Sequence, residues 1–72
     1  MSSLPSISGR EAVRAFEKAG FVIRRQRGSN IMMSRPGSPT ISVPNHRTIK
    51  AGTLLGLIKQ AGLTVEEFIA LL

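Results

Sequence analysis

Apolar residues recur at helical spacing near the start of the chain. The first apolar stripe consists of Ala12, Val13, Phe16 and Ala19. The stretch SGRE, from Ser8 to Glu11, fits a capping box, in which the serine hydroxyl meets an orphan N–H and the glutamate reaches back. Gly20 supplies a left-handed stop. The pattern therefore predicts a first helix over residues 9–19.

The last third of the chain repeats this pattern twice. The first of these stripes consists of Ala51, Leu54, Leu55, Ile58 and Ala61. It predicts a helix from about Lys50 to Ala61, ended by Gly62. TVEE is a second capping box, Thr64 with Glu67, and predicts a short third helix. Its stripe consists of Val65, Phe68, Ile69 and Leu72. Core positions are expected at Leu54, Leu55, Ile58, Phe68 and Ile69.

Three short segments between the helices are typical of strands. They are FVIRRQR (21–27), IMMSR (31–35) and TISVP (40–44). RGSN forms a turn between the first two, and the two prolines and glycine of PGSP prevent the second strand from continuing. The order α-β-β-β-α-α predicts an α+β fold, a three-stranded antiparallel sheet with helices on one face and the other face open.

Alternation along the first strand leaves its arginines ambiguous. Phe21 and Ile23 are expected to point to the helices, and Arg24 to the open face. Strict alternation would bury Arg25 and Arg27 with the apolar residues unless the strand end frays or twists. At least two arginines are expected to flank the turn, but the sequence does not decide which of them converge.

Length and composition limit the class of protein. A chain of 72 residues makes one small domain, expected over residues 8–72, after a flexible tail at 1–7. It has no cysteine and one histidine, so neither a disulfide framework nor a multi-histidine metal site is expected, and no cofactor. The sequence shows neither a secretory leader nor a run of roughly 18 apolar residues, which predicts a cytoplasmic protein without membrane attachment.

Charge indicates the kind of partner. Ten Lys and Arg against four Asp and Glu give a net charge of +6, and seven of the ten cations are arginines. Their planar guanidinium groups suit phosphate, and they cluster around the RGSN turn, out to Arg35. A nucleic acid or an acidic protein is the expected partner, although such an excess of charge also serves solubility.

Two segments are candidates for binding phosphate. At the turn, Gly28 leaves the backbone open to close approach and Ser29 donates from both hydroxyl and N–H, although glycine and serine are also ordinary hairpin residues. His46, Arg47 and Lys50 lie where the second helix is expected to begin, and helix N-termini attract phosphate. A histidine in such a loop also commonly caps or packs.

Four segments together resemble the HicA toxins of bacterial HicA/HicB toxin-antitoxin pairs. They are AGF (19–21), RQRGSN (25–30), ISVPNH (41–46) and IKAGTLLGLIKQAGLTVEEFIALL (49–72). The resemblance implies a fold similar to the double-stranded-RNA-binding domain. It also implies a metal-independent endoribonuclease that cleaves mRNA without the ribosome, inhibited by a HicB antitoxin. It leaves open a higher-order assembly of toxin and antitoxin.

This chain departs from the family at one position. HicA toxins carry a catalytic histidine after the glycine-serine pair, where Asn30 stands here. An imidazole transfers protons at neutral pH, whereas an asparagine amide hydrogen-bonds without titrating. The substitution predicts a chain that binds RNA and cleaves it poorly or not at all. Asn30 is either an engineered change or natural to a homologue that has lost or relocated its chemistry. The resemblance assigns His46 to support or RNA contact.

Two other functions are compatible with the residues. A non-catalytic module would hold double-stranded RNA by shape and phosphate contacts. A small scaffold would use its basic surface to dock an acidic protein and would have no RNA affinity. Met32 and Met33 are adjacent, so one of them is expected on the open sheet face, either at the antitoxin interface or half-buried at the sheet edge.

Overall fold

The computed structural model describes residues 3–72, which form an α+β fold of the double-stranded-RNA-binding-domain type. Three helices and three strands follow one another in the predicted order α-β-β-β-α-α. The elements are α1 (Gly9–Lys18), β1 (Val22–Arg27), β2 (Asn30–Ser34), β3 (Ile41–Pro44), α2 (Ala51–Gln60) and α3 (Val65–Ala70). The predicted fold class is confirmed.

Local signals mark the starts of α1 and α3 and the ends of α1 and α2. At α1 the Glu11 amide donates to Ser8 Oγ over 3.1 Å, and the Ser8 amide donates to the Glu11 carboxylate over 3.0 Å. Thr64 and Glu67 make the same reciprocal pair at α3. Gly20 and Gly62 follow α1 and α2 with φ of 99° and 77°, the left-handed conformation that ends a helix at low cost. Both capping boxes and both glycine stops are confirmed.

The strands form one antiparallel sheet in the order β1-β2-β3. β2 is central and pairs along its length with both neighbours. Met33 lies opposite Ile41, and both are fully buried beneath the helices. The register of β1 against β2 shifts between Ile23 and Arg25, which makes Arg24 the extra residue of a β-bulge.

Three phenylalanines join the helices to the sheet. The Phe16 ring lies 5.8 Å from that of Phe21 in an edge-to-face arrangement and 5.1 Å from that of Phe68, measured between centroids. All three side chains are buried. Phe16 thereby links α1, the start of β1 and α3 through contacts that favour a defined ring geometry.

The buried stripe of α2 differs from the predicted one. Leu54, Ile58 and Ala61 are buried as predicted, but Leu57 joins them, whereas Ala51 is exposed and Leu55 half-buried. Ala51 is the first residue of the helix, outside the covered turns, so the prediction for it was wrong.

The short third helix also buries less than predicted. Phe68 is fully buried, but Ile69 is half-buried and Leu72 is 45% exposed. Leu72 lies beyond the end of α3 at Ala70, so the helical spacing that placed it in the stripe no longer applies.

Coverage of β1 is incomplete. Phe21 is buried as expected, but Ile23 is 50% exposed because the β1–β2 hairpin extends past the helix layer. All six residues of β1 are exposed. Ile23 lies on the helix side of the sheet as expected, but the expectation that the helices cover it was wrong.

Packing continues on the N-terminal side of α1. Ile7 is buried, and its carbonyl accepts a hydrogen bond of 2.8 Å from the Ile49 amide. Leu4 packs against the core. Of the tail predicted at 1–7, Met1 and Ser2 lie outside the described residues.

Candidate functional site

Asn30 lies in the sheet, although the sequence suggested the preceding turn. It is the first residue of β2, exposed, and is paired with Arg27 of β1 on one side and Pro44 of β3 on the other. Its side chain therefore projects from the end of the central strand, which has a paired strand on each side.

The bulge at Arg24 decides which arginines share a face with Asn30. Residues directly opposite in an antiparallel pair lie on the same face, and faces alternate along each strand. Met33 faces the helices, so Met32 and Asn30 belong to the open face. Arg25 lies opposite Met32 and Arg27 opposite Asn30, so both belong to the open face too. The extra residue removes the conflict that strict alternation created.

Asn30 lines a shallow groove where the open face meets the start of α2. This Asn30 groove is lined by Asn30, Ser42, Pro44, His46, Thr48, Ile49, Lys50 and Thr53. The structure thus brings together three predicted site residues from separate elements, namely Asn30 from β2, His46 from a loop and Lys50 from the N-cap of α2.

Backbone hydrogen bonds hold the loop that carries His46. The Asn45 amide donates to the Ser29 carbonyl over 2.6 Å, which ties the loop to the residue before Asn30. On its other side the His46 carbonyl accepts a bond of 2.8 Å from the Gly9 amide at the start of α1. His46 is exposed, so its ring is available to a ligand of the groove.

The N-terminus of α2 contributes backbone polarity to the same groove. Its N-cap residue, Lys50, makes no side-chain capping bond, and no acidic side chain lies in the first turn. Free N–H groups and the positive end of the helix dipole favour an anion at such an end. Together with the Lys50 ammonium, they make this end of the groove suitable for a phosphate.

The other predicted site residues lie around the turn or beside the groove. Arg24 is exposed at the bulge. Gly28 forms the tip of the turn with φ of 58°, and its carbonyl accepts a bond of 3.0 Å from Gln26 Nε2. The Ser29 carbonyl is used by the loop bond, while Arg47 is exposed next to His46.

A second groove was not anticipated from the sequence. This α1 groove runs between α1 and the β1–β2 hairpin and is lined by Arg10, Val13, Arg14, Glu17, Ile23, Gln26, Ile31 and Asn45. Its members on β1 and β2 belong to the helix-side face, away from Arg25 and Arg27. The sequence feature that could have indicated this groove was Ile23, an apolar residue directly before a basic run.

Two general features of the described chain bear on the class of site. Within residues 3–72, no group of three or more His, Asp or Glu side chains is arranged to hold a metal ion. None of the helices described there has the length and apolar character to cross a membrane.

Comparison with known proteins agrees with this architecture. The family model for the HicA toxin of bacterial toxin-antitoxin systems matches residues 9–63, from the first residue of α1 to just beyond α2. No curated protein matches the chain. The matched range contains both sides of the Asn30 groove and most of the chain, and membership implies an antitoxin partner. The chain therefore belongs to the HicA family of bacterial toxins.

Proposed function

We propose that this chain is a HicA-type endoribonuclease for mRNA whose cleavage step is weak or lost because Asn30 stands at the catalytic position. The observation that carries the proposal is the shared groove of Asn30, His46 and Lys50, with Arg25 and Arg27 on the adjoining sheet face. The groove and the adjoining sheet face bind RNA. Because the substrate is mRNA, the protein acts in the cytoplasm.

The proposed reaction needs two proton transfers. The ribose 2′-hydroxyl loses its proton as its oxygen attacks the phosphorus, and the departing 5′-oxygen gains one, which leaves a 2′,3′-cyclic phosphate and a 5′-hydroxyl. A histidine at position 30 would supply one of these transfers near neutral pH. The Asn30 amide is limited to hydrogen bonding. Loss of one such group typically costs about 100- to 10,000-fold in rate.

The cations around the groove would hold the RNA backbone. Arg25 and Arg27 contact phosphates along the open sheet face, and Lys50 with the free N–H groups of α2 contacts a phosphate at the other end. Arg24, Arg47 and the Gly28–Ser29 turn extend this basic surface. These contacts do not depend on the residue at position 30, so binding outlasts the loss of cleavage.

The partner of the proposed toxin is a HicB-type antitoxin. An inhibitor that covers the Asn30 groove would block RNA, and a net charge of +6 favours an acidic partner surface. Met32 lies on the open face between the groove and Arg25, half-buried, where a flexible thioether adapts to a partner.

A non-catalytic RNA-binding module is the second candidate function. It is favoured by Asn30 itself, since the rest of the groove is suited to binding while the residue at its end cannot titrate. The two functions differ in what a histidine at position 30 would do.

The test compares three proteins purified identically: the chain itself, Asn30→His and Asn45→His. Each is incubated with end-labelled mRNA in the presence of chelator. Asn45 lies in the α1 groove and not in the Asn30 groove, so Asn45→His is a matched control with the same chemical change. We expect cleavage by Asn30→His alone, at least about 100-fold above the other two proteins.

Each alternative gives a different result. If no protein cuts but all three shift the RNA on a gel, the chain is a binding module. Cleavage by the unchanged chain at the Asn30→His rate would refute the impairment. Equal cleavage by Asn45→His would show that the activity does not depend on the Asn30 groove.

A further inference from the structure

Ile7 and Gly9, at the start of α1, hold the loop between β3 and α2 by two backbone bonds. The Ile49 amide donates to the Ile7 carbonyl, and the Gly9 amide donates to the His46 carbonyl, both over 2.8 Å. The bonds bracket the loop residues 46–49. With the bond from Asn45 to Ser29, the loop is attached on both sides of His46.

Gly9 makes this attachment possible by its size. A β-carbon at position 9 would lie 2.2 Å from the Pro44 carbonyl oxygen and 2.7 Å from the Asn45 α-carbon. Both obstacles are backbone atoms, which cannot move aside as a flexible side chain does. Any larger residue therefore has to push the Pro44–His46 backbone away from α1. That backbone leads directly into the Asn30 groove.

We propose that Gly9 is a positioning residue for the Asn30 groove, acting through His46. The close contact of α1 with the loop sets His46 beside Asn30, where its ring contacts the RNA phosphate. The inference rests on the proposed function for the role of His46 in RNA contact, but the geometric part concerns the chain alone. Gly9 lies about twenty residues before Asn30 in sequence and outside the groove lining.

A double-mutant cycle separates positioning from general stability. The cycle uses Gly9→Ala, His46→Gln and the pair, all in the Asn30→His background, with kcat and KM for cleavage of a synthetic RNA. If Gly9 acts through His46, the double variant is no slower than His46→Gln alone, because removing the His46 ring already removes the contact that Gly9 positions. Independent losses would multiply, and that result would overturn the proposal.

The matched control is Gly56→Ala. Gly56 lies on α2 with open space where a β-carbon would stand, so alanine there is tolerated and favours the helix. It tests the same substitution without the steric conflict. We expect its kcat and KM to equal those of the background protein. A tenfold loss at Gly56→Ala as well would show that cleavage is sensitive to any such change, and the positional claim would be wrong.

Hydrogen exchange decides the geometric part without any activity. In Gly9→Ala we expect the Asn45 amide to exchange about tenfold faster or more, while the amides within the β1–β2 pairing remain protected. Unchanged protection of Asn45 would overturn the proposal. Faster exchange at Asn45 in a protein that does not bind RNA would instead refute the proposed function. The role of Gly9 in holding the loop would still stand.

A second variant covers the case in which Gly9→Ala does not fold. The chain of 72 residues is short enough for chemical synthesis, so the Gly9 amide can be replaced by an ester. The ester removes the N–H that donates to His46 without adding a β-carbon. We expect the same faster exchange at Asn45, to a smaller extent. No change in the ester variant would show that the bond does not hold the loop.

Discussion

The guanidinium of Arg35 donates a hydrogen bond of 2.8 Å to the carbonyl of Ala61, the C-cap residue of α2. A second hydrogen bond of 2.6 Å is donated to the carbonyl of Ala19, the C-cap residue of α1. The same group lies 4.7 Å from the ring centroid of Phe21. One cation thus joins the negative ends of two helix dipoles above an aromatic ring. Arg35 belongs to the core boundary and not to the basic surface around the turn.

Replacement of Arg35 by methionine is expected to destabilise the domain by about 2–4 kcal/mol, less than the full sum of its two bonds because Arg35 is only half-buried and water reaches the carbonyls that it leaves. The change leaves two helix-end carbonyls unpaired and removes charge-assisted bonds, each typically worth about 1.5–3 kcal/mol. Urea unfolding followed by circular dichroism measures the loss. Arg25→Met is the control, since an exposed arginine should cost within about 0.5 kcal/mol. Equal losses in the two variants would contradict the role given to Arg35.

Each capping box is expected to contribute separately to stability. Ser8→Ala and Thr64→Ala each remove the side-chain acceptor of an orphan amide, at a cost of about 1 kcal/mol. The two caps lie on different helices, so the double variant should lose about the sum. Thermal unfolding of the single and double variants measures this. A double variant no less stable than either single one would argue against independent caps.

RNA binding is expected to depend on the arginines of the open sheet face. Replacing Arg25 and Arg27 together by alanine should reduce the slope of log K against log salt by about 0.7 per lost phosphate contact on single-stranded RNA. The control is the double variant of Arg10 and Arg14, which loses the same charge from the α1 groove. Fluorescence anisotropy at several salt concentrations measures both. The same reduction in the control would mean that total charge, not the sheet face, determines binding.

The adjacent methionines are expected to differ widely in their effect on folding. Met33 is fully buried under the helices, so Met33→Ala should cost about 2–5 kcal/mol and leave a cavity. Met32 is half-buried on the open face, so Met32→Ala should cost less than about 1 kcal/mol. Denaturant midpoints compare the two. Similar losses would contradict the assigned faces.

Much of the fold was predictable because its signals are local. A capping box joins residues three apart, and an apolar stripe reports its period within a few turns. Both boxes, both glycine stops and the order of elements were therefore evident from the sequence. Two errors fell at helix ends, at Ala51 and Leu72, where the apolar spacing continues in the sequence but the helix or its packing does not. A third fell at Ile23, where the strand extends past the helices.

The site depended on contacts between distant parts of the chain. No local pattern shows that Arg24 is the extra residue of a bulge, since the pairing of β1 with β2 decides it. Nor does one show that Arg35 reaches two helix ends, or that Gly9 and Ser29 both hold the loop of His46.

The sequence by itself determined the elements, their order and the family, and it singled out Asn30 as the residue that follows the glycine-serine pair. The tertiary structure decided which cations share the face of Asn30 and how His46 reaches its groove. The physical reason is the range of the interactions. Helix caps and periodicity act within a few residues, whereas strand register and loop anchoring arise when segments many residues apart pack together.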